Sequence, residues 1–193
     1  TAENMLNRGA VTAGDTVLVT GASGGVGSAL IQLANRRGAQ CVGLCGADKA
    51  DDVKAVGPLA VIDRNCSDLG SALRDAIGKE SVDVVADVVG GSLWPQLINA
   101  LARGGRYTCA GAIAGPMVEF DLRTFYLRDL TFTGATVPLP GVFEDLVGYI
   151  ERDEIRPLLA ATYPLEDFHA AQQAFIDKRH VGNIVTEPFP PRP

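Results

Sequence analysis

The chain has 193 residues with 47% hydrophobic and 21% charged side chains, and its 17 basic and 23 acidic residues give a net charge of −6. This composition is typical of one globular domain, and the lack of clustered Lys and Arg argues against a role in binding nucleic acid. No run approaches the roughly 20 apolar residues of a membrane-spanning helix, and the N-terminus has no apolar signal region, so we expect a soluble, cytoplasmic domain.

Six apolar, β-branched runs are predicted to form strands, and helical patterns fill most of the gaps between them. The runs are Thr16–Thr20, Cys41–Cys45, Ala60–Asp63, Val82–Val89, Arg106–Ala110 and Leu130–Ala135. Strands that alternate with helices at this spacing predict a parallel sheet. We therefore expect an α/β fold with a doubly wound six-stranded sheet of order 3-2-1-4-5-6 and helices on both faces.

The helical patterns cover about residues 2–6, 26–37, 49–56, 68–77, 93–101, 142–152 and 165–178. Asp48 is a predicted N-cap of the helix over residues 49–56, and Ser67 or Asp68 is that of the helix after it. A short final strand is predicted at Asn183–Glu187, and a proline-rich tail over residues 188–193 is expected to fray.

The four cysteines, Cys41, Cys45, Cys66 and Cys109, lie in or beside apolar runs and include no C-x-x-C pair. This pattern argues against a disulfide framework and a zinc ribbon, and it favours buried, reduced thiols. We therefore expect no metal site in this chain.

The first predicted strand leads into a glycine-rich turn, Thr20-Gly21-Ala22-Ser23-Gly24-Gly25-Val26-Gly27, which opens a predicted helix. This is the context of a dinucleotide-binding loop. Backbone N–H groups and a helix N-terminus attract a pyrophosphate, and glycine lets it approach closely. We expect Gly24 and Gly25 to permit that approach and Gly27 to let the helix lie close to the strand. No Gly-Lys-Ser/Thr follows the glycines, which excludes a triphosphate-binding P-loop.

The same turn also fits the TGxxxGxG pattern of short-chain dehydrogenases, which carry a catalytic Tyr-x3-Lys pair. None of the four tyrosines of this chain has a lysine four residues later. A self-contained short-chain reductase is therefore the weaker alternative.

Further segments carry a more specific resemblance. They are the run from Val11 to Val19, the glycine turn, Gly104-Gly105-Arg106, Phe120-Asp121-Leu122-Arg123, Leu130-Thr131-Phe132-Thr133-Gly134 and Gly182-Asn183-Ile184-Val185. With them, the chain resembles the cofactor-binding domain of the medium-chain dehydrogenase/reductase superfamily, in particular its quinone oxidoreductase and zinc-type alcohol dehydrogenase-like branch.

The resemblance implies that residues 1–187 form an NAD(P)-binding Rossmann domain, and that residues 1–10 form the connecting helix from a GroES-like catalytic domain. That domain, which nothing in this chain matches, would supply the substrate pocket and any zinc ligands, so zinc is not expected to bind here.

The end of the second strand favours NADP(H) over NAD(H). In NAD-specific Rossmann domains an acidic residue at this position binds the ribose 2′-hydroxyl. Cys45 and Gly46 carry no acid and leave room for a 2′-phosphate, and the resemblance places a basic phosphate contact at Lys49. Asp48 is the counter-indication, because it could act as a displaced ribose acceptor, and Lys49 could be a merely solvated side chain.

The resemblance to the superfamily implies the remaining contacts. Arg64, just past the third strand, is placed to flank the adenine, although an exposed loop arginine is an equal alternative. The predicted cofactor-binding residues are Ser23, Gly24, Gly25, Val26, Gly27, Gly46, Lys49, Arg64, Gly111 and Ala112. The last two follow the fifth strand and would face the nicotinamide. His169 and His180 are too few and too distant for a general base, so no catalytic residue is predicted.

These observations predict the NADP(H)-binding domain of a medium-chain oxidoreductase that transfers hydride between nicotinamide and a quinone, enone or carbonyl substrate, with the fragment alone inactive. The alternative is a dinucleotide-binding module without catalysis of its own. A homodimer is expected through the strand at Leu130–Ala135, because little charge blocks pairing at this sheet edge and the resemblance implies the same interface.

Overall fold

The computed structural model describes residues 1–188. The helices are α1 (Ala2–Arg8), α2 (Gly25–Arg36), α3 (Ala50–Lys54), α4 (Leu69–Ile77), α5 (Trp94–Asn99), α6 (Leu122–Leu127), α7 (Val142–Glu151) and α8 (Phe168–Asp177). The strands are β1 (Thr16–Val19), β2 (Gln40–Cys45), β3 (Ala60–Asp63), β4 (Val82–Asp87), β5 (Leu101–Cys109), β6 (Thr131–Gly134), β7 (Leu159–Pro164) and β8 (Asn183–Glu187). Of the predicted proline-rich tail, Pro188 is described and residues 189–193 lie outside the described residues.

Strands β1 to β6 form one parallel sheet in the order β3-β2-β1-β4-β5-β6, which confirms the predicted topology. β1 is buried along its whole length, and β2 is buried from Cys41 to Cys45. Strands covered on both faces read as continuous apolar runs. The central strands were therefore visible in the sequence.

β5 begins at Leu101, well before the predicted start at Arg106. The pairing of β5 with β4 shifts register between Val82 and Val84, which accommodates the exposed Arg103 and Gly104. Gly104 has a φ of +72°, a conformation that favours glycine. The glycine pair therefore marks a bulge inside the strand, just before the strand start that the sequence pattern predicted at Arg106.

The predicted capping role of Asp48 is wrong. Asp48 lies inside a short 3-10 turn, Ala47–Lys49, and its side chain caps neither that turn nor α3. By contrast, the Asp68 carboxylate accepts a hydrogen bond from the Ser71 N–H at 2.6 Å and caps α4, as predicted.

Two elements, α6 and β7, were not predicted. β7 pairs in parallel with β8, and with α8 between them these strands form a small βαβ unit beside the main sheet. No residue of α6 or β7 is fully buried. Without a buried face, neither segment carries the apolar periodicity that reveals an element in a sequence.

The main sheet separates two cores. Val17 and Val19 of β1 point into a core that includes residues of α1 and α2, whereas Leu18 points into a second core with α4 and α5. Helices thus cover both faces, as predicted. Within residues 1–188, no helix combines the length and apolar character needed to cross a bilayer.

Candidate functional site

The glycine-rich turn joins β1 to α2 at the carboxyl edge of the sheet. Gly24 is exposed and serves as the N-cap residue of α2, and its N–H donates to the Gly21 carbonyl at 2.9 Å. A Cβ at Gly24 would lie 3.4 Å from that same carbonyl oxygen, in ordinary van der Waals contact and without a clash. The first N–H groups of a helix lack intrahelical partners and carry partial positive charge. An anion can therefore approach the start of α2 over Gly24.

The two following glycines face protein atoms. A Cβ at Gly27 would lie 2.2 Å from the Gly21 carbonyl oxygen and 2.7 Å from Ala22 Cα, so α2 packs directly on the turn that leaves β1. A Cβ at Gly25 would lie 2.2 Å from Asn183 Oδ1, at the start of β8. We expected both Gly24 and Gly25 to let a pyrophosphate approach closely. In the structure Asn183 lies against Gly25, so only Gly24 of the two is suited to this role.

A cleft of about 270 Å³ opens beside this turn. It is lined by Thr20, Gly21, Ser23, Leu44, Cys45, Arg64, Asn65, Val89, Gly90, Ser92, Leu93 and Ala114. These residues lie at or after the carboxyl ends of β1 to β5, which is where open α/β sheets bind ligands. Of the predicted site residues, Ser23 and Arg64 line the cleft directly.

The loop after β4 forms part of the cleft wall, although none of its residues was predicted from the sequence to belong to the site. It contributes Val89, Gly90, Ser92 and Leu93. The signal that could have found it is its position, since β4 is adjacent to β1 in the predicted strand order and its loop must open at the same edge.

A buried carboxylate organises the floor of this site. Asp87, fully buried at the end of β4, accepts hydrogen bonds from the Thr20 hydroxyl at 2.6 Å and the Tyr107 hydroxyl at 2.7 Å. It also accepts from the backbone N–H groups of Val89 at 2.8 Å and Gly90 at 3.1 Å. One side chain thus ties the start of the glycine turn to the loop after β4.

Tyr107 remains a hydrogen-bond donor in this network. Burial, followed by the nearby carboxylate of Asp87, raises the pKa of the Tyr107 hydroxyl far above its ordinary value. The neutral phenol can only donate to the carboxylate, so the pair is fixed in one orientation.

The end of β2 carries two charged side chains of opposite sign. The carboxylate of Asp48 lies beside Gly46, because a Cβ there would be 2.5 Å from Asp48 Oδ1. The Lys49 side chain instead extends towards the segment after α8. Its ammonium donates to the carbonyl oxygen of Lys178 and, at 3.1 Å, to that of His180. Burial and the neighbouring Asp48 raise the pKa of the Cys45 thiol, so Cys45 presents a neutral group to the cleft.

The loop after β5 is joined to the loop after β4. The Ala114 N–H donates to the Val89 carbonyl at 2.9 Å, and a Cβ at Gly111 would lie 2.9 Å from the Val88 carbonyl oxygen. Gly111 and Ala112 therefore belong to this paired loop, but it is Ala114 that reaches the cleft wall.

Neither of the two histidines lines the cleft. His169 is exposed, and the half-buried His180 ring packs on Phe175 with ring centroids 5.8 Å apart. No group of three or more His, Cys, Asp or Glu side chains within residues 1–188 could hold a metal ion. This part of the chain therefore does not fit a zinc ion, and we assign no step to zinc.

The chain is similar to known dehydrogenases and reductases. The family model for zinc-binding dehydrogenases matches residues 25–152. Acryloyl-coenzyme A reductase of Metallosphaera sedula is 32% identical over 182 residues, which are 93% of this chain and 53% of the relative. The chain thus spans about half the length of such relatives.

Solved structures show the same fold. A Sinorhizobium meliloti 1021 protein provisionally described as an alcohol dehydrogenase is 49% identical with a TM-score of 0.93, over 97% of this chain and 52% of that one. The 2-octenoyl-CoA carboxylase reductase CinF, solved with NADP and 2-octenoyl-CoA, is 25% identical with a TM-score of 0.88, over 96% of this chain and 46% of that one.

Proposed function

Since the chain belongs to the zinc-binding dehydrogenase family, within the medium-chain dehydrogenase/reductase superfamily, we propose that its cleft binds NADP(H) for hydride transfer. The observation that carries this proposal is the exposed, unobstructed Gly24 at the start of α2, next to Ser23 in the wall of the cleft. A pyrophosphate at that position would accept from backbone N–H groups, and Gly24 itself carries no side chain to obstruct it. The adenine half would then lie between the loops after β2, β3 and β4, with Arg64 on its exposed side.

We propose NADP(H) as the preferred cofactor because Gly46 carries no acid and CinF, a structural relative, was solved with NADP. The third N–H of Lys49 is not used in its contacts with the two carbonyls and could donate to a 2′-phosphate. NAD(H) is the second candidate, because the Asp48 carboxylate lies beside Gly46, where it could accept from a ribose 2′-hydroxyl.

The proposed reaction is reduction or oxidation of a quinone, an enone or another carbonyl compound. The cofactor supplies or accepts the hydride, and this chain's residues bind and orient it. The name of the acryloyl-coenzyme A reductase relative fits an enone-like thioester within this class. A dinucleotide-binding module without catalysis remains the alternative, and it would bind the cofactor equally well without turnover.

The whole protein is proposed to include a separate substrate-binding domain, because this chain covers only 53% of the acryloyl-coenzyme A reductase relative. The β7–α8–β8 unit offers a surface for it. Phe175 and Ile176 of α8 are 53% and 66% exposed, and they border an apolar groove that also includes Phe168 and Ile184. Contact with another domain of the same protein would bury these side chains.

We also propose a homodimer joined through β6. This strand is one of the two edge strands of the main sheet, and its residues Thr131–Gly134 carry no charge. An uncharged edge strand presents backbone N–H and C=O groups that can pair with the same strand of a second copy. Light scattering after gel filtration is expected to give twice the chain mass, and a monomer at high concentration would contradict the dimer for these residues.

The cofactor proposal is tested by substituting Gly24. Gly24→Ala should weaken NADPH binding about tenfold or more, since the methyl group occupies the path of the pyrophosphate. Gly70→Ala in the first turn of α4 is the matched control, because its Cβ would also meet its nearest atom at 3.4 Å. Binding is measured by titrating the fluorescence of the reduced nicotinamide. Equal affinity in both variants would argue against a pyrophosphate over Gly24.

A further inference from the structure

Residues 178–183, from the end of α8 to the first residue of β8, cross the glycine turn; we call them the crossing segment. The Gly182 N–H donates to the Ser23 carbonyl at 2.9 Å, and Gly182 forms a parallel bridge with Gly24. The Asn183 side chain lies against Gly25. The crossing segment is therefore the outer support of the turn that is proposed to hold the pyrophosphate.

Lys49 holds the other end of the crossing segment. Its ammonium donates to the Lys178 and His180 carbonyl oxygens, across more than a hundred residues of sequence. Lys49 lies in the short turn after β2, so these two hydrogen bonds join that turn to the backbone of the crossing segment. Lys49 is partly buried, which strengthens a charge-assisted contact relative to an exposed one.

The side chains of the crossing segment pack in the opposite direction. The Lys178 ammonium lies 3.6 Å from the centre of the Phe175 ring, and the His180 ring packs on the same phenyl group. While these side chains contact α8, the backbone carbonyl groups of Lys178 and His180 face Lys49. The segment is thus held between α8 on one side and Lys49 on the other.

We propose that Lys49 is a positioning residue, which holds the crossing segment against the glycine turn and so supports binding of the diphosphate that NADH and NADPH share. This role rests on the proposed cofactor site and is separate from a contact between Lys49 and a 2′-phosphate. A lysine that only binds the 2′-phosphate affects NADPH alone. A lysine that positions the turn affects both cofactors.

The test compares Lys49→Met, Lys49→Arg and the control Lys54→Met in titrations with NADH and with NADPH. Lys54 is an exposed lysine on α3 that pairs with Asp51. Lys49→Met should raise the Kd for NADH about fivefold, the effect of losing roughly one net hydrogen bond of about 1 kcal/mol. Lys49→Arg should restore most of the NADH affinity, because a guanidinium can donate to both carbonyls. An unchanged Kd for NADH in Lys49→Met would overturn the proposal.

A second measurement needs no cofactor. Amide hydrogen exchange at Gly182, whose N–H is bonded to Ser23, should accelerate about tenfold in Lys49→Met and return towards the wild-type rate in Lys49→Arg. Unchanged exchange at Gly182 would contradict the positioning role. If the wild-type protein binds neither cofactor, the proposed function fails, while the exchange experiment still decides whether Lys49 holds the segment.

Discussion

The main sheet and the β7–α8–β8 unit are held by different kinds of contact. β1 and β2 lie between two apolar cores, whereas β7 and β8 have no fully buried residue. Polar contacts tie the crossing segment, and the residues just before β7, to the elements of the main sheet. Just before β7, Ile155 also joins the apolar core beneath α1 and α2. Gln32 of α2 donates to the Arg156 carbonyl and accepts from the Arg156 N–H, and Lys49 and Ser23 hold the crossing segment.

This difference indicates how the proposed cofactor site is built. The glycine turn and the loop after β4 are positioned by the packed sheet and by Asp87, so they should be rigid. The crossing segment is positioned by a few partly exposed hydrogen bonds, and such regions open locally at low free-energy cost. Changes in the sheet should therefore unfold the whole protein, and changes in the polar ties should act locally.

The largest effect is expected for Asp87→Ala. This change leaves the Thr20 and Tyr107 hydroxyls and two backbone N–H groups without their acceptor in a buried environment. The free energy of unfolding should fall by roughly 3–5 kcal/mol, as measured by urea denaturation. Asp51→Ala is the control, because Asp51 is almost fully exposed and its pair with Lys54 should contribute little. A loss below that of a typical surface change would contradict the role of Asp87.

Gly27→Ala should have the next largest effect. The added methyl would meet backbone atoms of the turn at 2.2 and 2.7 Å, which cannot move without shifting α2. A loss of roughly 1–3 kcal/mol is expected from this overpacking. Gly24→Ala, whose Cβ would meet its nearest atom at 3.4 Å, should unfold at the same urea concentration as wild type. Equal losses in both variants would argue against the packing difference.

The pH dependence of stability should reveal the buried thiol of the main sheet. Burial raises the pKa of Cys41 from 9.0 to about 12, so the thiol stays protonated in the folded state while the unfolded chain loses the proton. Stability should therefore be retained below pH 9 and fall as the pH rises from 9 towards 12, with a slope of up to about 1.4 kcal/mol per pH unit from this thiol. Cys41→Ala should show a shallower alkaline decline in urea denaturation between pH 8 and 10.5. An identical slope would exclude Cys41 as the cause.

The smallest global effect is expected for Gln32→Ala. It removes both hydrogen bonds to Arg156 at an exposed site, so global stability should change by less than about 1 kcal/mol. Hydrogen exchange should nevertheless accelerate at the Arg156 amide and in β8, and not in β1. Gln173→Ala on α8, whose amide contacts Asp177 at 2.7 Å, is the matched control. Uniform acceleration across the main sheet would contradict the separation of the two regions.

Much of the main sheet could be read from the sequence, since strands buried on both faces carry unbroken apolar runs such as Val17–Val19. The glycine turn was visible for a similar reason, because its backbone chemistry demands specific residues. β7 was missed because its side chains are partly or fully exposed. The contact of Lys49 with residues 178 and 180 could not be predicted, because it joins segments that only the folded chain brings together.

The central claim is that the cleft beside Gly24 binds a nicotinamide dinucleotide. Calorimetric titration of the wild-type protein with NADPH and with NADH, under the same buffer and salt conditions, tests it most directly. We predict one binding site per chain for both cofactors, with the lower Kd for NADPH. Absence of binding by both cofactors at millimolar concentration would contradict the claim.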